Sequence, residues 1–331
     1  MAGKVSVIIL GYNAIAFLKE CLASIAEQTY TDTETIVIDN ASTDGAGKYA
    51  QSLSWVTFIG NKENLGWAKA NNIAAERAKG DFLFFLNNDT KLLPDTVERL
   101  VDCYEKKTIL APYQIIGEGE AKHEAAGNGM DIFGCPFGEK DPEETRIFYA
   151  DGASIFVSRK DFFDIGAFDE KLFMMNEELD FCWRAQLFGY RVKKCGAKLY
   201  HFSGASTAGG AVKKGQPYRS SYFRRYHSEK NVIRNLIKNH SLWLLLVTLP
   251  ILLVFHFTEC LILLLTGRWR VVGCYIRAYI WDLGNIGDTL RFRQWVQKRR
   301  SVSDLVLLKK MYISYSKIVA FARLRGFPVF G

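Results

Sequence analysis

No two of the seven cysteines in this 331-residue chain stand in C-x-x-C spacing, and their number is odd. A disulfide framework and a zinc knuckle are therefore excluded as readings, and free thiols in a reducing compartment are expected. Helix-turn-helix, zinc-finger and RNP signatures are missing, and with them the usual means of reading nucleic acid. Internal repeats and long low-complexity tracts are missing as well, which removes solenoids and disordered chains. The opening residues, MAGKVSVIIL, lack the apolar core and small-residue cleavage site of a signal peptide and run straight into a strand pattern. The folded part is expected to stay in the cytosol. With 49% hydrophobic and 24% charged residues, the composition is globular and suffices for one large α/β domain plus an appendage.

The net charge of +8 is divided unevenly. Residues 1–210 hold 22 Lys+Arg against 30 Asp+Glu, whereas residues 211–331 hold 21 against 5. The basic part also contains the most apolar run, residues 241–266. A basic and strongly apolar region suits an anionic membrane surface. Nucleic acid is the competing partner, but a DNA binder has no use for LWLLLVTLPILLVF, so no nucleic acid is expected. The run is long enough to span a bilayer. Against a simple span stand Pro250 in its middle and His256 and Glu259 inside the hydrocarbon. The tail from Arg268 on, with 13 Lys+Arg against 3 Asp+Glu, would also cross in opposition to the positive-inside rule. A hairpin returning through 271–287 would have to bury Arg277 and Asp282. The expectation is helices lying in the cytoplasmic leaflet of the inner (plasma) membrane, peripheral or monotopic; the plainer alternative is a buried helix of a C-terminal bundle or dimer interface.

The unbroken β-branched run VSVIIL (5–10) reads as a buried parallel strand. A helix over 15–28 follows, with Phe17, Leu18, Cys21, Leu22 and Ile25 at helical spacing. Then come a strand at 34–40, a helix, a strand at 55–60, a helix ending at Gly80 and a strand at 81–89. This alternation predicts an α/β fold with a doubly wound, mostly parallel, Rossmann-like sheet, in which ligands sit at the carboxyl ends of the strands. After Leu110 the pattern loosens: 117–145 reads as a long loop region and 148–160 as a strand; Leu179, Cys182, Trp183 and Leu187 have helical spacing in a helix that opens at Glu177 and ends at Gly189, and 196–210 reads as a mobile Gly/Ser-rich loop. Residues 1–215 are expected to form the ligand-binding domain and 216–331 a basic, apolar helical region.

Four polar clusters fall at places where such a sheet builds sites. Asp39-Asn40-Ala41-Ser42-Thr43-Asp44-Gly45 can accept from a base N–H and approach a ribose, or can be an ordinary polar turn. Asn87-Asn88-Asp89 ends an apolar strand, where a carboxylate can hold Mg2+ or Mn2+ against a diphosphate, or can simply be solvated. Glu177, Glu178 and Asp180 open a helix; crowded carboxylates suit a general base of raised pKa, and also suit the helix dipole. Arg184, four residues after Asp180, reads as its helix partner. His201, before a Gly-rich stretch, is a candidate metal or diphosphate contact, although a lone His is more often structural.

In order and together, VSVIILGYN, IVIDNASTDG, NKENLGWAKANN, FLFFLNNDT, DGASIFVSRK, FDEKLFMMNEELDFCWRAQLFGYR, HFSGAST and SEKNVIRNLIK resemble family 2 glycosyltransferases of the GT-A fold, in particular the rhamnosyltransferase-like branch. The resemblance implies that Asp39 meets the nucleobase. Asn13 and Asp44 would line the nucleotide pocket together with Asn40, Asn87 and Asn88, and Asn64 and Gly66 would lie against ribose or phosphate. Asp89 would bind the metal with His201, Asn87 standing where the family's motif has its first Asp. Gly152 and Ala153 would shape the sugar or acceptor pocket. Within the catalytic group Glu177, Glu178 and Asp180, the base would be Glu178, where many relatives carry Asp. It further implies a dTDP- or UDP-sugar donor, rhamnose or a related hexose as the sugar, a lipid-linked glycan acceptor, inversion at the anomeric carbon and a role in cell-surface polysaccharide assembly. The alternatives are a nucleotidyltransferase, whose Gly-rich basic loop is missing from GYNAIAF, a non-catalytic membrane adaptor, or a basic nucleic-acid-binding protein.

Overall fold

The computed structural model of the chain describes residues 3–116, 123–137, 147–202, 219–324 and 329–330. It begins as an alternation of β1 (Val5–Gly11), α1 (Ile15–Ala26), β2 (Thr33–Asp39), α2 (Ala46–Gln51), β3 (Val56–Gly60), α3 (Trp67–Arg77) and β4 (Phe82–Asn87). The four strands pair in parallel in the order β3-β2-β1-β4. In β1, Val5, Val7 and Ile9 pack into one apolar layer with Leu18 and Leu22 of α1, whereas Ile8 joins the opposite layer with Phe85 and Ala74. Both faces are covered, so the strand is apolar without alternation. The chain leaves β1 toward β2 and β3 on one side and returns to β4 on the other. The carboxyl ends of β1 and β4 thus flank a switch point, where an open sheet leaves a crevice.

Beyond β4 the strict alternation ends. The next elements are β5 (Thr90–Leu92), α4 (Thr96–Cys103), β6 (Thr108–Ile116), β7 (His123–Ala125), β8 (Gly129–Met130), β9 (Pro136–Phe137), β10 (Ser154–Ser158), α5 (Arg159–Ile165), a 3-10 turn at Glu170–Leu172, α6 (Glu177–Leu187) and β11 (Arg191–His201). The sheet continues β4-β10-β6-β11-β5, with β10 antiparallel to β4 and β6, and β11 parallel to β6 but antiparallel to β5. Several expectations are corrected here. Residues 108–116, where the pattern loosened, form a long, mostly buried strand. The strand expected over 148–160 is confined to Ser154–Ser158, because the Ser158 hydroxyl accepts from the Asp161 N–H and starts α5. Residues 196–201, expected in a mobile loop, close β11 between β6 and β5; residues 203–210 lie outside the described residues. The region 117–145 holds three short strands, with 117–122 and 138–145 outside the described residues.

The remainder is helical: after β12 (Arg219–Ser220), which pairs with β13 (Val329–Phe330), come α7 (Tyr222–Asn239), α8 (Leu242–Leu265), α9 (Trp269–Gly284), α10 (Ile286–Arg299), α11 (Asp304–Leu308) and α12 (Ser316–Leu324). Val232, Leu236, Leu252, Val296 and Met311 share the apolar layer of Ile8 and Phe85. The polar side of α7 is buried too. Arg234 pairs with Asp169 at 2.8 Å, and Lys238 reaches both Asp169 (2.5 Å) and Asp180 (2.9 Å). Asp180 also takes Arg184 at 2.9 Å.

One face of α8 is turned inward, with Leu244, Thr248, Leu252 and His256 buried at four-residue spacing. His256 Nδ1 lies 2.7 Å from the Tyr279 hydroxyl, and Glu259 accepts from the Tyr275 hydroxyl at 2.5 Å and from Arg225. The two polar groups that argued against a simple span are thus partnered inside the bundle. Trp243, Leu246, Val247, Val254, Phe257 and Leu265 are at least half exposed. By length and composition α8 could cross a membrane, and 17% of its most apolar window is buried.

Lys238 holds two sealed carboxylates at once, so removing it strands buried charge. The substitution Lys238→Met is expected to destabilise the fold by about 3–5 kcal/mol, read as a lower midpoint in urea denaturation; an unchanged midpoint would show that the pairing is dispensable.

Candidate active site

A cleft of about 450 Å3 opens at the carboxyl ends of β1 and β4. Its lining brings together Asn40, Asn64, Gly66, Asn87, Asn88, Asp89, Gly152, Ala153, Glu177, Glu178 and His201, eleven of the fifteen residues singled out from sequence. At the carboxyl end of β2, Asn40 Nδ2 donates to Asn64 Oδ1 and to the Gly66 carbonyl, both at 3.1 Å, while Asn61 donates to Asn40 Oδ1 at 2.8 Å. Asn13, Asp39 and Asp44 do not line the cleft but build the turns behind it. Asp39 accepts from the Ser42 N–H at 2.9 Å and the Ser42 hydroxyl at 2.5 Å, Asn13 Oδ1 from the Thr43 N–H at 3.0 Å, and Asp44 from the Ile15 and Ala46 N–H groups at 2.7 and 3.0 Å. Asp180 is also outside: it is fully buried, and its Oδ1 takes Asn239 at 2.8 Å besides the two cations. Its place is in an ion-paired seam with Arg184 and Lys238, apart from Glu177 and Glu178, which do line the cleft.

Asp89 and His201 are far apart in sequence and meet because β5 pairs with β11, with Thr90 opposite His201. The Phe202 N–H donates to the Asp89 carbonyl at 2.9 Å, and Asp89 Oδ1 lies 3.6 Å from His201 Nε2. Gln114 Nε2 donates to the Ser154 hydroxyl at 3.1 Å, which turns Gln114 Oε1 toward His201 Nδ1 at 2.8 Å. Nδ1 thus meets an acceptor, and Nε2 faces the Asp89 carboxylate. A backing acceptor on the far nitrogen is what a metal-ligating His requires. One carboxylate oxygen and one imidazole nitrogen at this separation fit a divalent cation. Among the described residues no group of three His, Cys, Asp or Glu could hold one, so a diphosphate and water would supply the other ligands.

The opposite wall is the start of α6. Phe173, Met175 and Asn176 have φ of 63°, 71° and 66°, left-handed conformations that cost on the order of 1–3 kcal/mol each. This bent path brings the Phe173 carbonyl to the N-terminus of α3, where it accepts from the Trp67 N–H at 2.6 Å. Gly66 permits that approach, since a Cβ there would fall 2.6 Å from both the Phe173 carbonyl oxygen and its ring. Gly152 likewise leaves space beside Glu178, whose Cδ would be 3.6 Å from an added Cβ. Burial, and then the charges of Glu177 and Asp151, push the Glu178 pKa well above the usual carboxylate range; burial, with Asp151, pushes Glu177 up to about 7. Among the described residues, Asn176 Nδ2 and Glu177 Oε2 are buried at the cleft without a hydrogen-bond partner, a donor and an acceptor matched to a hydroxyl.

Several lining residues were missed from sequence. Asp151 is the acidic residue of DGAS, and its position just before a strand was a usable signal. Trp67, whose Nε1 donates to Asn87 Oδ1 at 3.1 Å, follows Gly66 directly. Arg224, the one Lys or Arg among the described lining residues, comes from α7, and nothing local in the sequence connects it to the strand ends.

The parallel half-sheet, its antiparallel extension and the strand-end cleft define a GT-A-type fold. Residues 6–164, just under half of the chain, match the family model Glycosyl transferase family 2, so the N-terminal part carries a domain of that family. Glycosyltransferase GlyA of Streptococcus pneumoniae is 25% identical over 58% of this chain and 31% of its own length. The amylovoran biosynthesis glycosyltransferase AmsB of Erwinia amylovora is 26% identical over 66% of this chain and 75% of its own. The chain thus spans about a third of GlyA and three quarters of AmsB. Among solved structures, the mannosyltransferase PcManGT of Pyrobaculum calidifontis, in complex with GDP-Man and Mn2+, superposes with a TM-score of 0.51 at 17% identity, over 90% of this chain and 84% of that one. This likeness is one of fold.

Because burial raises the Glu178 pKa, the folded protein favours the protonated carboxyl. The stability this contributes is complete below the unfolded value and lost as pH rises through the folded one. Glu178→Gln is therefore expected to melt above wild type at pH 8, with the gap closing toward pH 5. A gap independent of pH would show that Glu178 does not titrate abnormally.

Proposed function

We propose that this protein is a metal-dependent, inverting glycosyltransferase that moves a sugar from a nucleotide diphosphate to a hydroxyl of a lipid-linked glycan in cell-surface polysaccharide assembly. The observation that carries the reading is the cleft itself: Asp89 and His201 on one wall face the high-pKa carboxyl of Glu178 on the other. The family 2 domain and a relative named for amylovoran biosynthesis support it.

In this reading Asn40 and Asn64 hold the nucleoside side, with Asp39 and Asp44 shaping the turns behind. Asp89 and His201 would hold Mg2+ or Mn2+, which, when bound, offsets charge on the departing diphosphate. Glu178 in its ionised form accepts the acceptor hydroxyl's proton. The freed oxygen pair forms the new bond to the anomeric carbon as the carbon–oxygen bond to the diphosphate breaks, and that electron pair leaves with the nucleoside diphosphate. Attack from the face opposite the leaving group inverts the centre. A base with a raised pKa is strong once ionised, so kcat/KM should rise with pH over a range above that of an ordinary carboxylate. The rhamnosyltransferase-like resemblance favours a dTDP-sugar, rhamnose above others, with UDP-sugars next.

The acceptor assignment rests on the exposed apolar face of α8 and the basic composition of residues 211–331, which suit helices lying in the headgroup region of an anionic leaflet on the cytoplasmic side. Leu246 and Phe257, 66% and 72% exposed, are its outermost points. The pair Leu246→Lys and Phe257→Lys should abolish co-flotation with phosphatidylglycerol vesicles. Retained flotation would remove the membrane from the reading.

For the activity, purified protein is melted with dTDP-rhamnose and a panel of UDP- and GDP-sugars, each with and without Mn2+. A ligand at one hundred times its Kd should add about 2.7 kcal/mol. The expected result is stabilisation by one nucleotide sugar, dependent on Mn2+ and lost in Asp89→Ala. No response to any nucleotide sugar would sink the proposal. The anomeric coupling constant of the product then tests inversion.

A further inference from the structure

The segment 173–176 that carries Glu177 and Glu178 into the cleft is bent through three left-handed residues and borders two buried, unpartnered polar atoms. Such a path does not hold itself, because extended backbone would relieve the strain and wet the polar atoms. What opposes relaxation comes from α7. Asn231 Nδ2 points at three carbonyls of the bend, Leu172 at 2.9 Å, Met174 at 2.8 Å and Met175 at 2.5 Å. Four residues on, Asn235 Nδ2 donates to the Asn176 carbonyl at 3.0 Å, and that same carbonyl accepts the Asp180 N–H at 3.1 Å to open α6. Both asparagines are fully buried. They lie one helical turn apart, so one face of α7 grips the bend along its length. Buried amides are costly to place, and neither of these lines the cleft; their Nδ2 groups are directed at the backbone carbonyls of the bend.

We propose that Asn231 and Asn235 are positioning residues: α7 clamps the bend 172–176 and thereby sets the place of the Glu178 carboxyl relative to the Asp89–His201 wall. The inference rests on the sugar-transfer reading only for its effect on rate; the clamp itself can be tested without it. It also gives the C-terminal region a second task. The helix whose Arg225 and Glu229 pair with each other, and whose Arg225 also takes Glu259 of the apolar α8, is the helix that holds the catalytic bend.

The test is hydrogen–deuterium exchange on the full chain, wild type against Asn231→Ala, combined with steady-state kinetics. Peptides covering 173–178 should exchange at least tenfold faster in the variant, with those of β1 and β4 unchanged. In parallel, kcat should fall at least thirtyfold while the Kd for the nucleoside diphosphate stays within twofold, a split that general destabilisation would not produce. Asn235→Ala, which loses a single contact, should give the same pattern with smaller amplitude and serves if Asn231→Ala does not fold. Unchanged exchange over 173–178 in a folded variant overturns the clamp. So does a kcat loss under threefold in a wild type that is active, or a loss matched by the nucleotide affinity. Faster exchange in a chain whose wild type transfers no sugar leaves the clamp standing and overturns the functional reading instead.

Discussion

Asp169 and Asp180 lie almost out of reach of water, and burial by itself would raise both. Lys238 with Arg234 on one and Arg184 with Lys238 on the other hold them below the usual carboxylate range instead. This ionic seam joins the turn before α6, α6 itself and α7, and it cannot be taken apart singly without leaving a charge stranded in the interior. Everything at the cleft's second wall hangs from it. The left-handed bend is affordable because α6 on one side and α7 on the other cannot separate, and Glu178 is fixed because the bend is.

The first wall depends on a different constraint, the reversal of strand direction after β4. A purely parallel sheet would have carried β5 and β11 away from one another. The antiparallel pairing of β11 with β5 returns the chain so that His201 comes to rest beside Asp89, and β6 contributes Gln114 to fix the imidazole. One wall of backbone pairing thus faces one wall of buried charge. Asp89 sits beside a basic nitrogen, whereas Glu178 sits among other acids.

The family 2 match stops at residue 164, before either Glu178 or His201. The residues that complete the site therefore lie beyond that match, and the C-terminal helices there share the core of the sheet besides forming a small apolar cluster of their own.

Much of this was legible in the residues alone. Unbroken apolar runs bounded by polar ends marked β1, β2 and β4, because a strand covered on both faces has no reason to alternate, and ligand-facing residues at their ends followed from the topology of an open sheet. The crowding of Glu177 and Glu178 pointed to a displaced pKa, and burial, which the sequence does not show, is its larger cause. Period and polarity could not show which polar residues face the cleft. Asp39 accepts from the Ser42 N–H and hydroxyl, Asp44 from the Ile15 and Ala46 N–H groups, and Asp180 pairs with Arg184 and Lys238, contacts that the sequence does not show. Asp89 and His201 meet only through strand pairing, and Asn231 and Asn235 grip the bend only because a helix distant in sequence packs there. Local chemistry is written residue by residue. Which of two equally polar side chains is left unsatisfied, and so available to a ligand, depends on partners that only the folded chain brings within hydrogen-bond reach.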